Sequence, residues 1–264
     1  HSFKAEYWVY DIASKKLEKL APGLQQLAAF SPAGDKVGYV ENNNIYVKNL
    51  VDGKIIAVTE DGLMNKIING APDWVYEEEF SFSKAWQWSP DGNKIAFLRF
   101  DESQVKQWDM KMYGDLYPDI YRFKYPKAGE DNSLVSVHVY DLSDGSTSKM
   151  DIGEETDIYI PRIQWVNVNE LSIQRLNRLQ NVFEILVSDY KSGKSKVIYY
   201  EKNKYYVEVT DNLKFLNDGS GFVLTSEKSG FNHIYMYDMK GANEKQLTEG
   251  SWDVMSLLGV NEKD

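Results

Sequence analysis

The sequence predicts an all-β fold, a portion of a β-propeller with about four to five four-stranded blades, a short helical insertion and an extended arm. Three observations carry that expectation. A turn signature preceded by an aromatic residue recurs along the chain, each copy leads into an alternating apolar run, and a second strand-and-turn unit follows each copy at similar spacing.

Trp8-Val9-Tyr10-Asp11 is the first strand that ends in an acid. Phe30-Ser31-Pro32-Ala33-Gly34-Asp35-Lys36-Val37-Gly38-Tyr39 is the first full turn signature. Ser, Pro and Gly at its first, second and fourth turn positions are the chemistry of a type I turn joining two strands. Ile45-Tyr46-Val47-Lys48-Asn49 before Gly53-Lys54 supplies the next strand and turn. The signature returns in Trp88-Ser89-Pro90-Asp91-Gly92-Asn93-Lys94-Ile95-Ala96-Phe97, with degenerate copies at Trp165 to Ile173 and Phe215 to Leu224. Strands ending in Asp141, Asp189 and Asp238 precede turns at Gly145, Gly193-Lys194 and Gly241. The intervals Asp141–Asp189 and Asp189–Asp238 agree to within one residue, in the ~40 to 50 residue range of a propeller blade. A β-sandwich is the alternative, but it has no reason to repeat a turn in phase. The interval from Asn49 to Asp141 is about twice as long as the others, so one blade is expected to carry insertions.

Composition narrows the function. With 264 residues and 42% hydrophobic content the chain can bury a large core, as one big all-β domain or two smaller ones. A net charge of -10 without a basic cluster argues against nucleic-acid binding and in favour of cationic ligands. No apolar run approaches the ~18 residues of a membrane span, and no leader peptide is recognisable. The absence of Cys excludes disulfides and thiol chemistry and leaves the compartment open. The start at His1-Ser2-Phe3-Lys4 without Met and the end at Asn261-Glu262-Lys263-Asp264 suggest a fragment of a longer chain.

Two segments account for the long interval. In Asp73-Trp74-Val75-Tyr76-Glu77-Glu78-Glu79-Phe80, three consecutive carboxylates sit among aromatic residues. Adjacent ionised carboxylates repel, so keeping two of them charged calls for a nearby cation. Strand neighbours point to opposite faces, so Glu78 and Glu79 can share a ligand only on a helical turn, where neighbours lie ~100° apart. Pro72 and Asp73 suit a helix start, with Asp73 as N-cap and acids early in the helix complementing its dipole. A solvated acidic loop is the alternative. The second segment, Phe100 to Asn132, is dense in Tyr and Pro. It reads as an arm that forms an interface, or as a loop folded back on its own blade.

Asp73 to Glu79, the following Trp86-Gln87-Trp88-Ser89-Pro90, and Tyr125-Pro126-Lys127-Ala128-Gly129 together resemble the propeller domain of the dipeptidyl peptidase IV family, bacterial type. The likeness extends over nearly the whole chain, residues 1–264. It takes in His1-Ser2-Phe3, a strand at Arg175 to Asn181, and a late hairpin at Ser229-Gly230-Phe231-Asn232-His233-Ile234-Tyr235. The resemblance implies that Glu78 and Glu79 bind the free α-ammonium group of a peptide substrate, with Glu77 left out. The whole protein is then a serine exopeptidase that releases X-Pro or X-Ala dipeptides, without cofactor or metal, in the periplasm or secreted. It also implies that Phe100 to Asn132 forms a homodimer contact and that a substrate-orienting arginine precedes His1. No Arg-Phe pair occurs near Tyr205-Tyr206-Val207-Glu208, which departs from the animal enzymes.

No catalytic residue is expected within the chain. Gly219-Ser220-Gly221 falls in a repeat turn and is not a Gly-x-Ser-x-Gly elbow. His1 is terminal, and His138 and His233 fall in strands of different blades. The triad is implied to lie in an α/β-hydrolase domain beyond this chain, which alone would be inactive. A tripeptide-releasing relative and a non-catalytic peptide- or protein-binding propeller remain alternatives.

Overall fold

A computed structural model describes residues 3–262. His1, named above as a terminal histidine, lies outside the described residues, as do Ser2, Lys263 and Asp264. The chain divides into two compact units, one ending at Met150 and one beginning at Asp151.

In the first unit β1 (Trp8–Asp11) and β2 (Lys16–Lys19) form a two-stranded antiparallel sheet. Next, β3 (Gln26–Phe30), β4 (Lys36–Glu41), β5 (Asn44–Asn49) and β6 (Ile55–Ala57) form a four-stranded antiparallel meander in chain order. The third sheet carries both insertions. Its strand β9 (Lys94–Asp101) is paired along one side by β7 (Ile67–Asn69) and β8 (Trp86–Trp88), with Ile68 opposite Phe100 and Gln87 opposite Ala96. Between β7 and β8 the edge of the sheet is interrupted. The chain leaves at Gly70, whose N–H donates to Leu98, and returns at Ala85, whose carbonyl accepts from Leu98. The excursion between them holds helix α1 (Trp74–Glu79), the only helix among the described residues. On its other side β9 pairs with β12 (Leu134–Asp141), followed by β13 (Thr147–Lys149). The hairpin β10 (Gln107–Met112) and β11 (Asp119–Lys124) is inserted between β9 and β12. Both insertions therefore belong to one sheet, as the doubled interval predicts.

The second unit holds two four-stranded antiparallel meanders. One is β14 (Ile158–Trp165), β15 (Glu170–Asn177), β16 (Val182–Asp189) and β17 (Ser195–Lys202). The other is β18 (Lys214–Phe215), β19 (Gly221–Ser226), β20 (His233–Asp238) and β21 (Lys245–Gln246).

The recurring residues close these hairpins as their chemistry predicts. The N–H groups of Gly34, Gly92 and Gly219 donate to the carbonyls of Ser31, Ser89 and Leu216, three residues back, at 2.9, 2.9 and 3.0 Å. At the strand-ending acids the side chain does the work. Asp141, Asp189 and Asp238 accept backbone N–H groups of Ser143, Ser192 and Lys240 at 2.9, 2.8 and 2.8 Å, as Asx turns do. The Arg175 to Asn181 segment is a correction, since β15 stops at Asn177 and Gln180 has φ 55°. There the Asn177 side chain accepts the N–H groups of Asn181 and Val182, which favours a tight turn over further strand.

Trp86 centres the core of the first unit. Fully buried, it packs with Val40, Ile45, Val47, Ile95 and Phe97. Its ring passes so close to β4 that a Cβ on Gly38 would stand 2.6 Å from Cη2, so that position requires glycine. Replacing Trp86 by alanine should lower the urea unfolding free energy of the native protein by about 3–5 kcal/mol, a loss that tryptophan-independent circular dichroism can measure.

Candidate functional site

Helix α1 is fixed by its first turn. Asp73, at φ -76° and ψ -179°, accepts the Tyr76 N–H at 3.0 Å, and its carbonyl accepts the Glu77 N–H at 3.1 Å. Pro72 just before it has no N–H to satisfy. Ser133, buried in the residue just before β12, donates its hydroxyl to the other Asp73 oxygen at 2.6 Å. Burial pushes the Asp73 carboxyl above its usual range, against hydrogen bonds from Ser133, Tyr76 and Val75 that pull it down.

The helix buries one face. Val75 and Tyr76 point inward, and the Tyr76 ring lies 4.8 Å from Phe100, 5.3 Å from Phe80 and 6.0 Å from Phe82. With those two side chains inward, Glu78 and Glu79 emerge exposed, about 100° apart. The convergence expected of the pair is thus sterically available. The helix dipole does not favour the whole acidic run as expected, because only Glu77 lies in the first turn. Glu78 and Glu79 occupy the last turn, where the helix end is negative, and that turn contains no basic residue. Neither forms an ion pair among the described residues. Two exposed like charges at the negative end of a helix are electrostatically unfavourable until a cation arrives.

The arm grips this helix at its base. Tyr125 packs edge-on against Trp74 at 4.3 Å between ring centres and touches Trp108 at 6.2 Å. Asn65 also donates to the Arg122 carbonyl at 3.4 Å, and the hairpin is held internally by a two-pronged Arg122–Asp109 pair at 2.6 and 2.7 Å. Met112, Tyr113, Leu116, Tyr117, Ile120 and Tyr121 are all at least half exposed. The loop is therefore not folded back on its sheet. Its boundaries are narrower than Phe100 to Asn132, since Phe100 is fully buried within β9 and only 107–124 projects as a hairpin.

His138, His233 and the serine turn have structural explanations. His138 stacks on Phe97 at 5.4 Å and bonds Ser136 at 2.9 Å. Burial, then the charges of Arg99 and Lys149, pushes its pKa down to about 4, so it is neutral. Both ring nitrogens of buried His233 are occupied, by Thr248 at 3.1 Å and the Gly250 carbonyl at 2.9 Å. Ser220 sits in the β18–β19 turn, and a Cβ on the adjacent Gly221 would meet the Tyr237 carbonyl at 2.1 Å.

One residue near the site escapes sequence reasoning. Glu102, buried just after β9, has its backbone N–H on the Lys66 carbonyl. Burial first, then the charge of Asp73, pushes its carboxyl up to about 7, and Lys124 opposes this. Nothing in the Asp-Glu-Ser run distinguishes Glu102 from a solvated acid. Because the folded form holds its proton more tightly than the ordinary value of 4.5, stability should fall as pH rises from 4.5 to about 7 and then level off. Glu102→Gln should therefore gain stability relative to wild type at pH 8 but not at pH 5. Urea midpoints at the two pH values measure this, and an equal change at both would refute it.

Among the described residues no helix is long and apolar enough to cross a membrane. The family described as the dipeptidyl peptidase IV (DPP IV) N-terminal region matches residues 1–264. Dipeptidyl aminopeptidase B of Saccharomyces cerevisiae is 34% identical over 274 residues, covering 97% of this chain and 33% of that protein. Dipeptidyl-aminopeptidase B of Aspergillus niger is 31% identical over 287 residues, covering 97% of this chain and 32% of that protein. The crystal structure of Porphyromonas gingivalis dipeptidyl peptidase 4 superposes with a TM-score of 0.94 at 43% identity, over 99% of this chain and 38% of that one. The chain thus spans about a third of the length of the curated relatives it matches. Its blade-type sheets, its capped acidic helix and the match along its whole length make this chain a member of the dipeptidyl peptidase IV N-terminal region family.

Proposed function

We propose that Glu78 and Glu79 bind the α-ammonium group of a peptide with a free N-terminus. The protein to which the chain belongs would then release X-Pro or X-Ala dipeptides. The observation that carries this is the pair of exposed carboxylates without an ion pair at the negative end of α1, held there by a buried opposite face. The names of the relatives, dipeptidyl aminopeptidases, agree with recognition of an amino terminus. An ammonium offers three donors and an ionised carboxylate only accepts, so the two match in number and charge. Fixing the N-terminus at a set distance from the scissile bond counts off the dipeptide and uses remote binding energy for orientation.

The hydrolytic serine, aspartate and histidine would be supplied by an α/β-hydrolase part outside residues 1–264, so this stretch alone would not hydrolyse peptides. The protein would act in the periplasm or outside the cell. The projecting hairpin within Phe100 to Asn132 would form a homodimer contact, since its exposed Tyr, Met and Leu side chains suit an interface core.

In the native protein, Glu78→Gln/Glu79→Gln should lower kcat/KM for a Gly-Pro chromogenic substrate about a hundredfold or more. An N-acetylated substrate should be cut poorly by wild type and no worse by the variant. Unchanged hydrolysis of the free amine would show that the acids are a solvated run. Replacing residues 107–124 by a short Gly-Ser turn should convert dimers to monomers in sedimentation, and a persisting dimer would sink the arm's role.

A further inference from the structure

The second unit contains a cleft between its two meanders whose lining is acidic and aromatic. It narrows to about 50 Å³, room on the order of three to five water-sized groups. Tyr199 and Glu201 reach it from β17, Gln174 from β15 and Ser226 from β19, while Glu208 and Glu227 line it from the connecting loops. No Lys, Arg or His lines it. Two flanking cations are already engaged. Arg175 holds Glu184 at 2.9 Å through Nε and also donates to the Ile152 carbonyl, and Lys228 holds Glu244 at 2.5 Å. Glu201, Glu208 and Glu227 form no ion pair among the described residues.

Two observations show what such a cleft would accept. Glu201 receives only neutral donors, the Tyr199 hydroxyl at 2.5 Å and the Ser226 hydroxyl at 2.9 Å, which leave part of its acceptor capacity unused. Burial, with the Glu201 charge second, pushes the Tyr199 hydroxyl far above its usual range, so it stays a donor and supplies no charge. Gln174 is only 6% exposed, and its buried Oε1 has no hydrogen-bond partner. A buried acceptor left unpaired costs about 1–3 kcal/mol, so the site lacks an N–H donor. The acceptors are a carboxylate and an amide oxygen, and Phe183 and Tyr206 are among the lining residues. A planar cation with several N–H groups satisfies all of these at once.

We propose that this cleft binds a guanidinium group, with Glu201 and Gln174 as its inner acceptors and Glu208 and Glu227 as outer charges. The proposal is independent of the role of Glu78 and Glu79. Calorimetric titration of the native protein with propylguanidine, and with neutral propylurea of the same shape, tests it. Propylguanidine should bind, propylurea should not, and Glu78→Gln/Glu79→Gln should leave this binding intact. Gln174→Leu and, on the exposed side, Glu227→Gln should each weaken it, Gln174→Leu by about tenfold. Glu227→Gln replaces a solvent-exposed acid and keeps the measurement valid if Gln174→Leu fails to fold. Acetyl-arginine amide binding as tightly as propylguanidine would identify a peptide side chain as the occupant, and binding of propylguanidine alone a free small guanidine. Either supports the site. No heat with propylguanidine, equal binding of propylurea, or binding indifferent to the cleft variants would leave only ordered water there and overturn the proposal.

Discussion

The carboxylate of Asp73 is the contact on which the candidate site depends. It caps a six-residue helix too short to stand alone, so the direction of every side chain on α1 follows from that cap and from the burial of Tyr76. Placing a carboxylate in a buried position is costly, and the cost is offset by donors from Tyr76, Val75 and Ser133. Ser133 matters beyond the hydrogen bond. It directly precedes β12, on the far side of β9 from the helix's own excursion, so the cap ties the insertion back to the sheet it left.

That sheet concentrates the unusual features of the first unit. β9 carries β7 and β8 on one side and β12 on the other; the helix excursion lies between β7 and β8, and the arm between β9 itself and β12. The run from Ile95 to Leu98, with Phe100, is fully buried, and β9 keeps its register with β7 and β8 on either side of the interruption. The Trp74–Tyr125 contact then joins the two insertions, so the glutamate helix and the arm share one aromatic base.

The acids of the two units differ in how they are held. At Glu78 and Glu79 the carboxylates face outward with no partner, a geometry suited to an incoming cation. Around Glu201 the carboxylate is held by hydroxyl groups inside a cleft, next to an amide oxygen that lacks a donor. A net charge of -10 announces neither site. Most of the other acids serve turns, as at Asp141 and Asp189, or ion pairs, as at Asp109 and Glu184.

The sequence by itself determined the strands around the repeated turns and most of those turns, because an Asx turn or a glycine with positive φ is decided by residues two or three apart. The short helix was legible for the same reason, from Pro72 and Asp73. Its charge distribution was not, since six residues place Glu78 and Glu79 at the end of the helix and not near its start. The true limits of the arm depended on Phe100 packing against Tyr76, a contact between segments with no shared pattern. Only the tertiary structure decided that Glu102 is buried beside Asp73, and that Gln174, Glu201 and Ser226 meet at one cleft. Burial and charge proximity between distant residues leave no mark on local periodicity, and they alone separate these polar groups from solvated ones of the same type.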